Sequence, residues 1–343
     1  MVCYYNGDIN KGGFRFLHGD TICADFFPEN EPIDAYLQNL VKFVNQNKIN
    51  KIFICARNYS KTTDISFLRE LSGIESVQIS AICKDLSPLL SLKPKVLKIQ
   101  IQNESIDFSS LQDSLQELDL YELNPWSGRI AQISESLLQC KKITKFGVSC
   151  FNSNDFSILE KMTWLNELGL AQARDKKISL NRLGTLQNLQ KISLESVKLR
   201  DLDFALMPNI SEIVLRQSNI NSLNGIQNLK NLNFAEIDYC PKLTDVSAIV
   251  ECARLTKLKF ESVKHIENIA VLTSLKELQW LALINCGKIA SLSFVSEMSS
   301  LRYLNFYDTN ISDGDLTPCL KLENVITADK RHYNIKAKDL PRK

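Results

Sequence analysis

At 343 residues, with 44% apolar and 23% charged side chains, the chain has the make-up of a folded protein, either two ordinary domains or one long repeat domain, and disorder is excluded. Lys and Arg number 41 against 39 Asp and Glu, a net +2 that is too balanced for a general nucleic-acid or anionic-membrane binder. No run of about 18 apolar residues and no apolar leader is present, and ten cysteines are scattered without a C-x-x-C pair, so we expect a cytoplasmic chain carrying reduced, mostly buried thiols.

Residues 1–48 follow no repeat. Phe14 to Leu17 predicts a short strand, and Leu37, Leu40, Val41 and Val44, spaced three and four apart after Glu31-Pro32, predict one amphipathic helix. This segment is expected to cap the open end of a repeat region that begins at residue 49.

From residue 49 an apolar triplet at positions 1, 4 and 6 recurs about thirteen times, to residue 329. It opens at Ile49/Ile52/Ile54 and Ile74/Val77/Ile79, and we assign the next units to Val96/Ile99/Ile101 and Leu115/Leu118/Leu120. From Leu232 the starts at Leu255, Leu278 and Leu301 are each 23 residues apart. A fixed period of this kind decides the fold, because no single unit can bury its apolar face alone and neighbours must bury it jointly. Positions 4 and 6 lie two apart and point to one side of a strand. NPWSGRI at 124–130 reads as an inserted, exposed turn, with Trp126 as a minor binding candidate. Residues 330–343 read as a polar closing turn and loose tail.

The triplet resembles the leucine-rich repeat signature L-x-x-L-x-L-x-x-N/C, in the short 21–24-residue form of bacterial and protein-phosphatase-regulator-like repeats. The resemblance implies an α/β fold: a right-handed, curved solenoid with a parallel β-sheet on its concave face and short helices, 3₁₀ turns and loops on its convex face. The family's position-9 Asn, which bridges adjacent turns, is replaced here by residues such as Ser218, Cys240, Val263, Cys286 and Thr309. The amide ladder is therefore absent, and a less regular coil is expected.

Chemistry is sparse. The three histidines, His18, His265 and His332, stand at no metal-ligand spacing, and no phosphate-binding, dinucleotide or nucleophile-elbow motif occurs. No separate catalytic domain fits beside the cap and repeats, so no enzyme, metal or cofactor is expected.

Binding is different, because the repeat decides which side chains share a surface. Positions 3, 5, 7 and 8 are expected to face outward on the sheet. In the last full units position 3 reads Phe234, Lys257, Trp280 and Tyr303, and position 5 reads Glu236, Lys259, Ala282 and Asn305. Position 7 reads Asp238, Glu261, Ile284 and Tyr307, and position 8 includes Tyr239 and Asp308. Exposed aromatics rimmed by charge are what protein-binding hot spots are made of. We expect Phe234, Trp280, Tyr303 and Tyr307 to anchor a protein partner, with Asp238, Glu261 and Asp308 matching basic groups on it. A monomeric regulator or toxin-neutralising protein is the role the resemblance implies; the alternatives are an exported effector acting on host proteins and an enzyme whose site is assembled on the solenoid.

Overall fold

A computed structural model describes residues 15–17, 21–26, 33–56 and 62–342, apart from 103, 123, 125–127, 153–154, 176–177, 200–201, 203 and 205–206. Trp126 and Phe14 lie outside the described residues. The chain forms two compact units, residues 1–158 and 159–343.

The first unit begins with strand β1 (Arg15–Leu17) antiparallel to β2 (Thr21–Phe26), followed by helix α1 (Ile33–Gln46). Strands β3 (Lys51–Ala56), β4 (Ser76–Ser80), β5 (Val96–Gln100), β6 (Glu117–Tyr121) and β7 (Lys145–Ser149) follow. From β2 to β7 each strand pairs parallel with the next. Helix α1 forms where expected and buries Leu40, Val41 and Val44. Strand β2 is not among the expected elements. Ile22 and Ala24 pair in register with Ile52 and Ile54, so the segment before the repeat already presents its core positions. TICADF carries too short an apolar alternation to announce this.

One unit must be re-phased. Val77 and Ile79 pair with Leu97 and Ile99, so positions 4 and 6 of the third turn are Leu97 and Ile99, and position 1 is the buried Pro94. The reading Val96/Ile99/Ile101 is out by two residues. A two-residue slip keeps the same face inward, so apolar alternation alone does not detect it.

The second unit contains β8 (Glu167–Ala171), β9 (Lys191–Glu195), β10 (Glu212–Arg216), β11 (Phe234–Asp238), β12 (Lys257–Glu261) and β13 (Trp280–Ile284). After them come β14 (Lys288–Ile289), β15 (Tyr303–Asn305), β16 (Asn310–Ile311) and β17 (Asn324–Ile326). The strands β8 to β13, β15 and β17 form consecutive parallel pairs, while β14 and β16 make a small separate sheet. Inward residues such as Leu258, Phe260, Leu281 and Leu283 are fully buried, and most outward ones, such as Lys257, Lys259 and Glu261, are at least partly exposed. Connections return through 3₁₀ turns such as Ser247–Glu251 and Ser293–Glu297, whose Ile249 and Val295 close the core from the other side.

Two local devices recur. Before several return turns an Asp accepts the backbone N–H two residues on, as Asp85 does from Ser87 and Asp245 from Ser247, both at 2.9 Å. At position 8 the backbone turns left-handed: φ lies between 51° and 58° at Gln172, Ser196, Gln217, Tyr239, Ser262, Asn285 and Asp308. At the first six of these the N–H donates to the carbonyl at position 7 of the next unit, for example Tyr239 N to Glu261 O at 2.8 Å and Asn285 N to Tyr307 O at 2.9 Å.

The position-9 ladder is rebuilt with other atoms. Thr309 accepts from Cys286 N at 2.8 Å and donates to Leu283 O, and the Cys286 thiol points to Phe260 O at 3.4 Å. Ahead of the strands, Asn188, Asn209 and Asn231 donate to Thr163 O, Gln187 O and Pro208 O of the preceding turns. Side-chain bridging between turns is thus retained, partly moved to the other end of the strand.

The expected loose tail is instead ordered and partly buried. Tyr333 is 5% exposed; its hydroxyl accepts from Ile311 N and donates to Thr309 O, both at 3.1 Å. Leu340 is buried and Val325 N donates to Pro341 O at 2.9 Å. An open last turn would expose Phe306 and Val325, so an apolar cover outweighs the polarity of the segment. Among the described residues no helix is long and apolar enough to cross a membrane.

Candidate functional site

Apart from Trp126, the binding side chains singled out from the sequence lie in the second unit, and the pairing register places those on strands in rows across the sheet. Lys257 stands opposite Trp280, and Trp280 opposite Tyr303; Glu236 stands opposite Lys259, and Lys259 opposite Ala282. Glu261 is opposite Ile284.

Only two of the expected aromatic anchors touch. Trp280 and Tyr303 stack with centroids 5.1 Å apart and planes 8° from parallel, because neighbouring parallel strands hold equivalent side chains about 4.8 Å apart. Their faces cover one another, so the pair presents ring edges outward. Phe234 is two strands away, with Lys257 between, and is not part of this stack. Beside the stack Ile284 is half-buried, Tyr307 is 47% exposed and Ile326 is 37% exposed, with Asn305 opposite Ile326. Ala282 is fully buried although it faces outward, covered by its larger neighbours. Ile326 is missing from the sequence-based set. Its signal is its place at position 5 of the last, degenerate unit.

Next to this apolar end lies a five-residue ionic network on β10, β11 and β12. Arg216 Nη2 is 2.5 Å from Glu236 Oε1, and Arg216 Nε is 3.4 Å from Asp238 Oδ2. Lys259 Nζ lies 2.7 Å from Glu261 Oε2, 3.3 Å from Asp238 Oδ2 and 3.6 Å from Glu236 Oε1. Arg216 is also absent from the sequence-based set; its place at position 7 of the unit before Phe234 is the signal. Asp238 is 5% exposed, and its Oδ2 joins Arg216 and Lys259 beneath the surface of the network. Burial, then the hydrogen bond with Glu236 and the charge there, push the Asp238 carboxyl up to about 6. At Glu236 burial acts in the same direction, but hydrogen bonds from Asp238 and Arg216 outweigh it and hold that carboxyl below its usual value.

At position 8 the left-handed backbone places Tyr239 and Asp308 just beyond the ends of their strands, where both are exposed. Tyr239, 55% exposed, borders a shallow groove of about 320 Å³ with Pro241, Ser262, Lys264, His265 and Asn285.

Burial pushes the thiols of Cys83, Cys286 and Cys319 up to about 12, and those of Cys140, Cys240 and Cys252 up to about 11. Thiols so protonated suit packing rather than nucleophilic attack. His332 is engaged structurally, its Nε2 2.8 Å from Ile311 O. Among the described residues no group of three or more His, Cys, Asp or Glu is placed to hold a metal ion.

In-register parallel strands alternating with short return turns, repeated through both units, define the leucine-rich repeat fold, and this chain has it. No protein-family model matches the chain, and no curated protein matches its sequence. Among solved structures it is similar to an internalin, inlF, from Listeria monocytogenes, with a TM-score of 0.56 and 18% identity over 91% of this chain and 87% of that one. Internalin C2, inlC2, from the same organism aligns with a TM-score of 0.46 and 19% identity over 56% of this chain and 81% of that one. At such identities the first likeness speaks for the fold.

Proposed function

We propose that this chain is a protein-recognition module whose outward strand face, from β10 to β17, takes a protein partner. The observation that carries the reading is the Trp280–Tyr303 stack, set edge-on beside Ile284, Tyr307 and Ile326 and bordered by the ionic network. An apolar patch with aromatic centres and a charged rim is the composition of an interface core. Glu261, Lys257 and Lys259 border the patch on one side, with Asp308 on the rim.

The role we infer is that of a regulator working by binding, such as an immunity protein holding a toxin in a bacterial cytoplasm. The described cysteines, all thiols, fit a reducing compartment. A toxin-like gene beside this one supports the inference; a secretion apparatus there argues for an exported effector instead. The direct test is affinity capture from the native cell with the wild-type chain and with Trp280→Ala/Tyr303→Ala. Loss of two central anchors costs at least about 2 kcal/mol, roughly thirtyfold in affinity. A partner held at full strength by the double variant rules out this patch.

A further inference from the structure

The ionic network contains three carboxylates, Glu236, Asp238 and Glu261, and two cations, Arg216 and Lys259. The contacts are unevenly shared. Asp238 Oδ2 meets both Arg216 and Lys259, while Asp238 Oδ1 is buried and has no hydrogen-bond partner. A buried carboxylate oxygen without a donor is costly. Arg216 and Lys259 each reach both carboxylates, so the same two cations hold Glu236 and Asp238 beside one another. Two neighbouring carboxyl groups, with one oxygen lacking a donor, are satisfied by one proton between them.

We propose that Glu236 and Asp238 share a single proton, and that its departure gives this strand face the net negative charge to which a basic side chain of the partner responds. With the proton in place, two cations face two remaining negative charges and the network is neutral. Without it the network carries one uncompensated negative charge, a few side chains from the Trp280–Tyr303 stack. The second half of the proposal rests on the protein-binding reading above; the first half does not.

The surroundings are charged on each side. On β10 Arg216 faces the pair, and on β12 Lys259 and Glu261 do, while Lys257 stands further along β12 opposite Phe234. On β11 itself Glu236 is the other titrating group. The neighbouring thiols of Cys240 and Cys286 stay protonated, since burial pushes them to about 11 and about 12. The Asp238 carboxyl, raised to about 6 chiefly by burial, is the group that changes state near neutrality. The face is therefore neutral in mildly acidic conditions and negative at neutral pH.

The test follows Asp238 directly, in the full chain labelled with ¹³C at the aspartate carboxyls and titrated by NMR. One aspartate resonance is expected to titrate near 6 and to vanish in Asp238→Asn. Glu236→Gln removes the shared proton's second acceptor and moves that midpoint down; Lys259→Met removes a cation and moves it up. The two opposite displacements separate proton sharing from a folding defect, and the dispersion of the remaining aspartate signals reports folding in each variant. An Asp238 that titrates in the ordinary aspartate range, or one indifferent to Glu236→Gln, overturns the proposal. That outcome is independent of the capture experiment: lost capture by Trp280→Ala/Tyr303→Ala alongside an ordinary Asp238 sinks the shared proton and leaves the binding face standing. The converse sinks the binding face, and with it the partner half of the proposal, and leaves the shared proton standing.

Discussion

The indole of Trp280 lies flat against the ring of Tyr303, 5.1 Å away, on the outward side of two adjacent parallel strands. Such a pair contributes about 0.5–1.5 kcal/mol beyond simple burial. A double-mutant cycle with Trp280→Ala and Tyr303→Ala, measured by urea unfolding, is expected to return a coupling of that size. The inward Leu281, fully buried in the same strand, sets the contrast: Leu281→Ala is expected to cost about 2–5 kcal/mol. If the outward pair proves as damaging as Leu281→Ala, loss of capture in the double variant reports unfolding, and the anchor argument falls.

In the first unit, Arg129 Nη1 reaches back to Glu122 Oε2 at 3.0 Å, and the Glu122 side chain is 0% exposed. Gln100 and the Asn124 N–H also donate to that carboxylate. Arg129→Met leaves a fully buried negative charge without its cation, so a loss of about 3–5 kcal/mol is expected. Replacing both partners, Glu122→Met/Arg129→Met, is expected to recover much of that loss. Equal stability of the single variant and the wild type in urea titrations contradicts the assignment.

Gly314 has φ of 70°, and a Cβ there would collide with the His332 carbonyl oxygen. Gly314→Ala is expected to cost about 1–3 kcal/mol and to loosen the segment that buries Tyr333. Trypsin should then cut faster at the exposed Arg331 and Lys336. Unchanged cleavage in the variant would show that this segment closes the last turn by other means.

Stability should fall in acid for a reason that can be followed at Asp245. The Ser247 hydroxyl, then its N–H, then the Ser222 hydroxyl hold that carboxyl below 3.8, as similar turns do at Asp64, Asp85, Asp107 and Asp315. A carboxyl lowered by folding adds stability above its unfolded value and loses it as pH drops through the folded one. Asp238 works in the opposite sense: between 3.8 and about 6 the folded chain binds the extra proton, so its contribution declines as pH rises through that window. Unfolding midpoints across pH are expected to drop steeply at the acid end, and Asp245→Asn should flatten that drop. An acid limb identical in the variant removes Asp245 from the account.

Much of the core is legible in the sequence. Leu258 and Phe260, or Leu281 and Leu283, are buried because residues two apart on a strand share a side, and that alternation is written in the chain. The rows Lys257–Trp280–Tyr303 and Lys259–Ala282–Asn305 follow from the same count, and the pairing register reproduces them. The slip at Val96 and the unexpected β2 mark where counting runs out, because parity survives a two-residue shift and a short segment gives too few apolar positions to phase.

What the sequence determined by itself was the repeat, its inward face and the set of side chains sharing its outward face, because a period of 23 residues leaves little freedom in how neighbouring turns bury Leu232, Leu255 and Leu278. What only the tertiary structure decided was how those outward side chains divide among themselves. Trp280 stacked one face on Tyr303, Asp238 went under Lys259 and Arg216, and Tyr239 left the strand at a left-handed turn. Stacking, burial and ion pairing act between side chains tens of residues apart, so their outcome is set by distances across strands and not by spacing along the chain.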